Sequence, residues 1–149
     1  LKPFHRPVGP SAQGDHENLN KNNWVIKLES LRQISERVIV AEACKIIIMK
    51  LKNVEEYILD KINSMKDTTN IDYSAEIELN NENHTIGEIL SRRIRLHDNG
   101  RFAGFVMKHP DSNNILLEYK TEGTTFTRVI QDVVKELVSD YTVIIKKFT

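Results

Sequence analysis

The chain has 149 residues, 40% of them hydrophobic, and its 21 basic and 21 acidic residues give a formal net charge of zero. This length suits one or two small domains with a core, and the balanced charge excludes a protein that holds nucleic acid by bulk positive charge. The single cysteine, Cys44, excludes an internal disulfide framework and a cysteine zinc site. We therefore expect protein partners rather than direct contact with nucleic acid.

No apolar run approaches the roughly eighteen residues of a membrane-spanning helix, and no signal-peptide pattern opens the chain. The sequence therefore predicts an intracellular protein without a membrane partner. Residues 1–23 are rich in proline and polar residues, which predicts an irregular lead-in. Because the chain begins with Leu1 rather than methionine, we expect it to be the C-terminal part of a longer protein. His5 and His16 are expected to be loop residues rather than metal ligands.

Residues 24–65 are predicted to form a strand and then a long helix. Apolar and polar residues alternate from Trp24 to Leu31, and Ser35 is a suitable N-cap for a helix that continues to about Met65. The β-branched run at 46–48 would suit a strand, but the unbroken apolar stripe favours a helix. This stripe is too wide for one strand to cover, so the helix should pack against another helix. The predicted packing residues are Ile34, Val38, Ala41, Ile48, Leu51 and Ile58.

Three further strands are predicted in the second half of the chain. Residues 66–72 are expected to be a short linker, and residues 73–80 alternate strictly between apolar and polar side chains. Residues 101–108 and 115–121 should form a hairpin, because His109-Pro110 and the polar residues after it suit a turn rather than a ladder. These patterns predict antiparallel strands with one buried face.

A helix is predicted between the first of these strands and the hairpin. Thr85 and Glu88 have the spacing of a capping box, and residues 98–100 are a stop signal. Gly87 lies in the first turn, where glycine is a poor helix former, so another group should pass close to its backbone. The basic cluster on this helix fits either a docking face for an acidic partner or nucleic acid, or a solvated surface. Its members are Arg92, Arg93 and Arg95.

A final helix is predicted from Thr125 to the end of the chain, because apolar residues recur at spacings of three and four. It is the obvious partner for the helix of residues 35–65. Its predicted packing residues are Ile130, Val133, Leu137, Tyr141 and Ile144. The fold class is therefore α+β, with antiparallel sheets covered by two long amphipathic helices that pack together.

The sequence gives little support for catalysis. His84, His97 and His109 could be combined with Asp98 and Glu88 into a hydrolytic arrangement, but none of the spacings typical of hydrolases or metalloproteases is present. His84 and His109 are better interpreted as turn residues. We expect no enzyme activity, no cofactor and no metal site in this chain.

Four blocks in residues 73–149 resemble a known family. Residues 83–90, 102–105, 109–110 and 115–121 resemble, in order and spacing, the motifs of the small alpha-like assembly subunit of multisubunit RNA polymerases. This is the eleventh subunit of eukaryotic polymerase II and the L-type subunit of archaeal polymerases. The family has an acid at position 83 and an asparagine at 88, where this chain has Asn83 and Glu88. The motif positions, expected to be turn or partner residues, are His84, Thr85, Gly87, Glu88, Phe102, Ala103, Gly104, Phe105, His109 and Pro110.

Residues 24–65 are similar to the dimerisation end of the larger alpha-like subunit, which is the third subunit of polymerase II and the D-type subunit of archaeal polymerases. The two resemblances together imply one fused chain that carries both alpha-like halves, an arrangement similar to that in large DNA viruses. They imply a non-catalytic assembly platform for the two largest polymerase subunits and small zinc-binding subunits. Magnesium and zinc would then be held by other subunits. The platform would be found with its polymerase, in host cytoplasm or virion if viral and in the nucleus if cellular.

Two other functions fit the residues without the resemblance. One is a free-standing homodimeric protein-binding module that uses the same helices for self-association. The other is a small ligand-binding α+β domain. Recovery of very large polymerase subunits with the protein would favour assembly, whereas a lone homodimer would favour the module.

Overall fold

The computed structural model describes residues 23–64 and 73–149, and the predicted lead-in and linker lie almost wholly outside these ranges. The chain divides into two compact units, Leu1–Glu36 and Arg37–Thr149. The described residues form three helices and three strands. In chain order they are α1 (Glu36–Ser64), β1 (Tyr73–Asn80), α2 (His84–Leu96), β2 (Gly100–Val106), β3 (Asn114–Thr121) and α3 (Phe126–Phe148).

The strand predicted from Trp24 to Leu31 is wrong, because residues 23–35 contain neither helix nor strand. Backbone groups here form hydrogen bonds with nearby side chains instead of with a neighbouring strand. The amide of Ser30 donates to Oε1 of Glu36 at 3.2 Å, and the Ser30 hydroxyl donates to the Arg32 carbonyl at 2.7 Å. Alternation alone therefore did not identify a strand in a segment whose hydrogen bonds are local.

The larger unit is built on one antiparallel sheet of three strands in the order β1-β3-β2. In the ladder, Leu117 of the central strand lies opposite Ile77 on one side and Phe105 on the other. Because side chains alternate across a strand, these positions share one face of the sheet. This face is buried along the central strand, where Leu117 and Tyr119 have almost no exposed surface.

Helix α2, which connects β1 to β2, and helix α3, which follows β3, lie on this buried face. Helix α2 packs chiefly against β2, and α3 packs against α2. At the start of α3, the Phe126 ring stacks on the Tyr119 ring, with centroids 3.5 Å apart and planes 9° from parallel. The chain can turn from α2 into β2 because Gly100 has no side chain, since a Cβ there would overlap the Ile94 carbonyl.

Helix α1 contributes its second half to the same core. It runs for 29 residues, about 44 Å at 1.5 Å per residue. The Lys50 ammonium group forms an ion pair with the buried carboxylate of Glu82 at 3.2 Å. This pair links α1 to the connection between β1 and α2. The α1 residues that belong to the common core are Leu51, Val54, Ile58 and Ile62.

Candidate functional site

Two of the motif blocks, residues 83–90 and 102–105, meet where α2 begins. The helix is capped by Asn83, whose side-chain oxygen accepts from the amide of Thr85 at 3.0 Å, with backbone angles of φ −131° and ψ −168°. The predicted cap at Thr85 is therefore wrong, and Thr85 and Glu88 are exposed residues of the first turns. Asparagine is among the best N-cap residues because its short amide reaches the free amides of the first turn.

The group that passes close to Gly87 is the ring of Phe105. A Cβ on Gly87 would lie 2.7 Å from two ring carbons, which is closer than carbon atoms approach one another. The His84 ring meets the same phenyl ring edge-on, with centroids 5.4 Å apart and planes at 72°. The blocks that are separated in sequence are thus joined into one packed contact between α2 and β2.

Neighbouring motif residues hold this contact in place. Ala103 is buried in the core, and its carbonyl accepts from Nη1 of Arg95 at 2.8 Å. Phe102 is half exposed on the other side of the strand, with its ring next to Gly104. The turn at 109–110 is exposed, and the His109 carbonyl accepts from the Ser112 amide at 3.1 Å.

The basic cluster on α2 is partly used inside the chain. Arg93 donates through Nη2 to Asp140 at 2.6 Å and through Nη1 to Glu136 at 3.5 Å, so it joins α2 to α3. Arg95 is bonded to the β2 backbone, and Arg92 is exposed. The contacts of Arg93 could not be predicted from the sequence, because the spacing along α2 contains no information about which acids α3 presents.

Helices α1 and α3 run antiparallel along a line that we call the helix seam. At one end, Nη2 of Arg37 donates to the Lys147 carbonyl at 2.8 Å, and the guanidinium lies 5.7 Å from the centre of the Phe148 ring. About two turns along each helix, Cys44 of α1 lies close enough to Tyr141 of α3 to raise its pKa.

Two side chains of the helix seam are shielded from water, since Cys44 is buried and Tyr141 is half-buried. Burial raises the pKa of the Cys44 thiol above its ordinary value of 9.0. Burial is also the main cause of the raised pKa of Tyr141, and the charges of Cys44 and Asp140 raise it further. Both groups are therefore held in their neutral forms, which is what an apolar contact between two helices requires.

Most of the predicted packing residues are buried or half-buried, either between α1 and α3 or in the core. Buried positions are Ala41, Leu51, Ile58, Ile130, Val133 and Leu137, and half-buried positions are Ile48, Tyr141 and Ile144. Two positions differ from the prediction. Ile34 lies in a bend before α1 begins, and Val38 is 50% exposed in the first turn. Helix α3 ends at the level of Arg37, so little of its surface is left to cover Val38.

The half of the seam beyond the sheet forms an arm, which comprises residues 36–50 of α1 and residues 138–148 of α3. Its inner side is closed by Ala41 and Cys44, which are buried. Its outer side is open to solvent and carries apolar side chains among charged ones such as Glu42 and Lys45. The exposed apolar side chains of the arm are Val38, Ile46, Met49, Val143 and Phe148.

The histidines do not form a hydrolytic site. His84 and His97 lie at opposite ends of the 13-residue helix α2, about 19 Å apart along its axis. His97 Nδ1 accepts from the Asn99 amide at 3.1 Å and its Nε2 lies 3.0 Å from Asp132, so both ring nitrogens support the helix end.

Among the described residues, no His, Cys, Asp or Glu cluster is arranged to hold a metal ion. Within the same ranges, no helix has the length and apolar character needed to span a bilayer.

Comparison with known proteins gives two matches. The family model described as the RNA polymerase Rpb3/Rpb11 dimerisation domain matches residues 74–147. The chain is also 36% identical over 105 residues to "Putative DNA directed RNA polymerase subunit R470" of Acanthamoeba polyphaga mimivirus. This alignment covers 70% of the chain but 29% of the relative, so the chain spans less than a third of that protein.

Proposed function

Because the chain belongs, through residues 74–147, to the RNA polymerase Rpb3/Rpb11 dimerisation-domain family, we propose that it is a non-catalytic assembly subunit that joins two alpha-like halves in one polypeptide. The first half is α1, and the second runs from β1 to α3. The two largest polymerase subunits, together with small zinc-binding subunits, would dock on the resulting platform. Nucleotide addition and the magnesium it needs would belong to those other subunits.

The helix seam is the observation that carries this proposal. Arg37 and Cys44 of α1 meet Lys147 and Tyr141 of α3, and this contact supports the proposed pairing of the first half with the second. The similarity to the relative is not confined to the second half, because an alignment over 105 residues is longer than the 74 residues of 74–147 and must also include residues before β1.

The arm supports a platform role because it leaves apolar surface open. Ile46 and Met49 on α1 are 51% and 55% exposed, and Val143 on α3 is 49% exposed. Exposed apolar side chains that gather on one part of a protein mark contacts with other proteins. A helix pair that is already packed also docks at a low cost in ordering. We propose that the protein is found wherever its polymerase is, in host cytoplasm or virion if that polymerase is viral.

The test is recovery of polymerase subunits by the tagged protein, purified from cells or particles that contain the polymerase. The double variant Ile46→Asp with Val143→Asp places charges on the open side of the arm without entering the core. We expect it to lose most of the two largest subunits, as quantified by mass spectrometry, while its melting temperature stays close to that of the parent protein.

The matched control is Asn53→Asp with Ser139→Asp, which adds the same charges at exposed polar positions of the same helices. It should recover the large subunits as the parent protein does. Equal recovery by the arm variant would contradict docking through the arm. A parent protein that purifies as a lone homodimer, without large subunits, would instead establish the self-associating module.

A further inference from the structure

The sheet has a second face, opposite the core, that no helix of the described residues covers. We call it the open face. Helices α2 and α3 contribute their buried residues to the other side of the sheet. Sheets usually bury both faces or expose a polar one. The open face is neither, and its side chains are Ser74, Glu76, Glu78, Phe102, Val106, Leu116, Glu118 and Lys120.

One half of the open face is apolar. Val106 on β2 lies directly opposite Leu116 on the central strand, and Phe102 projects from the same side of β2. Phe102 and Val106 are each 49% exposed, although both are large apolar residues. A contiguous strip of this kind has no role in the core of the unit, so it is available to another molecule.

The other half of the open face is acidic. Glu76 on β1 lies directly opposite Glu118 on β3, and Glu78 is the next residue on the same side of β1. Among the residues that the structure describes, none of these three carboxylates has a hydrogen-bonded or ion-pair partner. Like charges that face one another across a ladder destabilise the sheet. Lys120 lies on the same side of β3 as Glu118 but forms no ion pair with these acids among the described residues. The isolated unit therefore retains a repulsion between Glu76 and Glu118 that a cationic neighbour would relieve.

Protection of a sheet edge does not explain this arrangement. Charges on an edge strand discourage pairing with other chains, and Glu76 and Glu78 on β1 are suited to that role. Glu118 is on β3, the central strand, whose two edges are already paired. An acid at this position repels Glu76 without guarding any edge.

We propose that the open face is the docking site for an amphipathic helix of another polymerase subunit that carries Lys or Arg along one flank. Its apolar side would pack on Phe102 and Val106, and its basic flank would lie over Glu76 and Glu118. This inference rests on the proposed function, since it takes the occupant from the same polymerase. The acidic half would repel the phosphates of a nucleic acid.

The first test is photo-crosslinking in the assembled complex with the full-length protein. A benzophenone amino acid replaces Phe102, and in a control protein it replaces Phe105, which lies on the core face of the same strand. The Phe102 probe should crosslink to a peptide of another subunit that has Lys or Arg next to apolar residues. The Phe105 probe should crosslink only within this chain.

The second test removes the acidic charges without changing side-chain size. Glu76→Gln with Glu118→Gln should raise the melting temperature of the free protein by about 1–3 °C, because the repulsion is gone. The same variant should reduce the Phe102 crosslink about fivefold, since two exposed ion pairs are lost. Glu56→Gln with Asp60→Asn on exposed positions of α1 is the charge-matched control and should leave the crosslink unchanged.

The outcomes separate this inference from the proposed function. If the large subunits are recovered but the Phe102 probe crosslinks only to this chain, to nucleic acid or to nothing, the open-face proposal is wrong and the assembly role stands. An unchanged crosslink in the Gln variant would likewise contradict the proposal that a basic flank of the partner helix lies over Glu76 and Glu118. If no polymerase subunit is recovered at all, both proposals fail.

Discussion

The core beneath α2 and the arm beyond the sheet are built from the same kinds of residues, but their side chains differ in how far they are buried. Beneath α2, side chains such as Leu90, Leu117 and Ile130 are fully buried. In the arm, Ala41 and Cys44 are buried between the helices, while Ile46 and Val143 remain half exposed. The difference indicates that the core stabilises the unit by itself, whereas the arm holds two segments in register and leaves surface for partners.

The largest effect should come from placing a charge in the core. Ile130→Asp would bury a carboxylate at a position with no exposed surface, which costs several kcal/mol, a large part of the roughly 5–15 kcal/mol that stabilises a small domain. We expect loss of cooperative unfolding by circular dichroism. Ile46→Asp in the arm is the matched change and should leave the melting curve nearly unaltered. Similar curves for both variants would remove the distinction between the two regions.

A smaller effect is expected at the contact between α2 and β2. Gly87→Ala should cost about 1–3 kcal/mol, because the new methyl group displaces the Phe105 ring. In a Phe105→Ala background the space is free, and Gly87→Ala should then stabilise the helix by up to about 1 kcal/mol. Urea denaturation of the four proteins measures this change of sign. A constant cost in both backgrounds would show that the ring is not the reason for the glycine.

The smallest effect should be a pH dependence confined to the arm. The pKa values of Cys44 and Tyr141 are raised in the folded protein, so the folded state favours their neutral forms. Their contribution to stability is complete below the ordinary values of 9.0 and 10.0 and is lost as pH rises through the raised ones. The free energy of unfolding should therefore fall above about pH 9. Cys44→Ala should make this fall shallower, and an equally steep fall would exclude the thiol as a cause.

Periodicity predicted most of the fold. The alternation at 73–80 matches β1, and the spacing of apolar residues in the last helix agrees with α3. Local patterns succeed here because burial on one face directly produces the period of two or of 3.6 residues. The strand at 24–31 failed for the converse reason, since alternation shows which residues could share a face but not whether a ladder partner is present.

The candidate site was predicted less completely, because its contacts join distant parts of the chain. The poor helix propensity of Gly87 predicted a close neighbour, which is the Phe105 ring, although only the structure identifies that neighbour. The capping-box spacing of Thr85 and Glu88 predicted a cap at Thr85, whereas α2 is capped two residues earlier by Asn83. The pairing of Arg93 with Asp140 had no signal in the sequence.

The antiparallel helix seam is the central claim, and a pair of distances tests it most directly. Spin labels at exposed positions 42 and 146 should give a short distance, because the start of α1 lies beside the end of α3. Labels at 61 and 146 should be farther apart by about 25 Å, since about 1.5 Å of helix separates each residue from the next. Cys44→Ala removes the native thiol in both proteins. Two similar distances, or a broad distribution for the first pair, would contradict the seam.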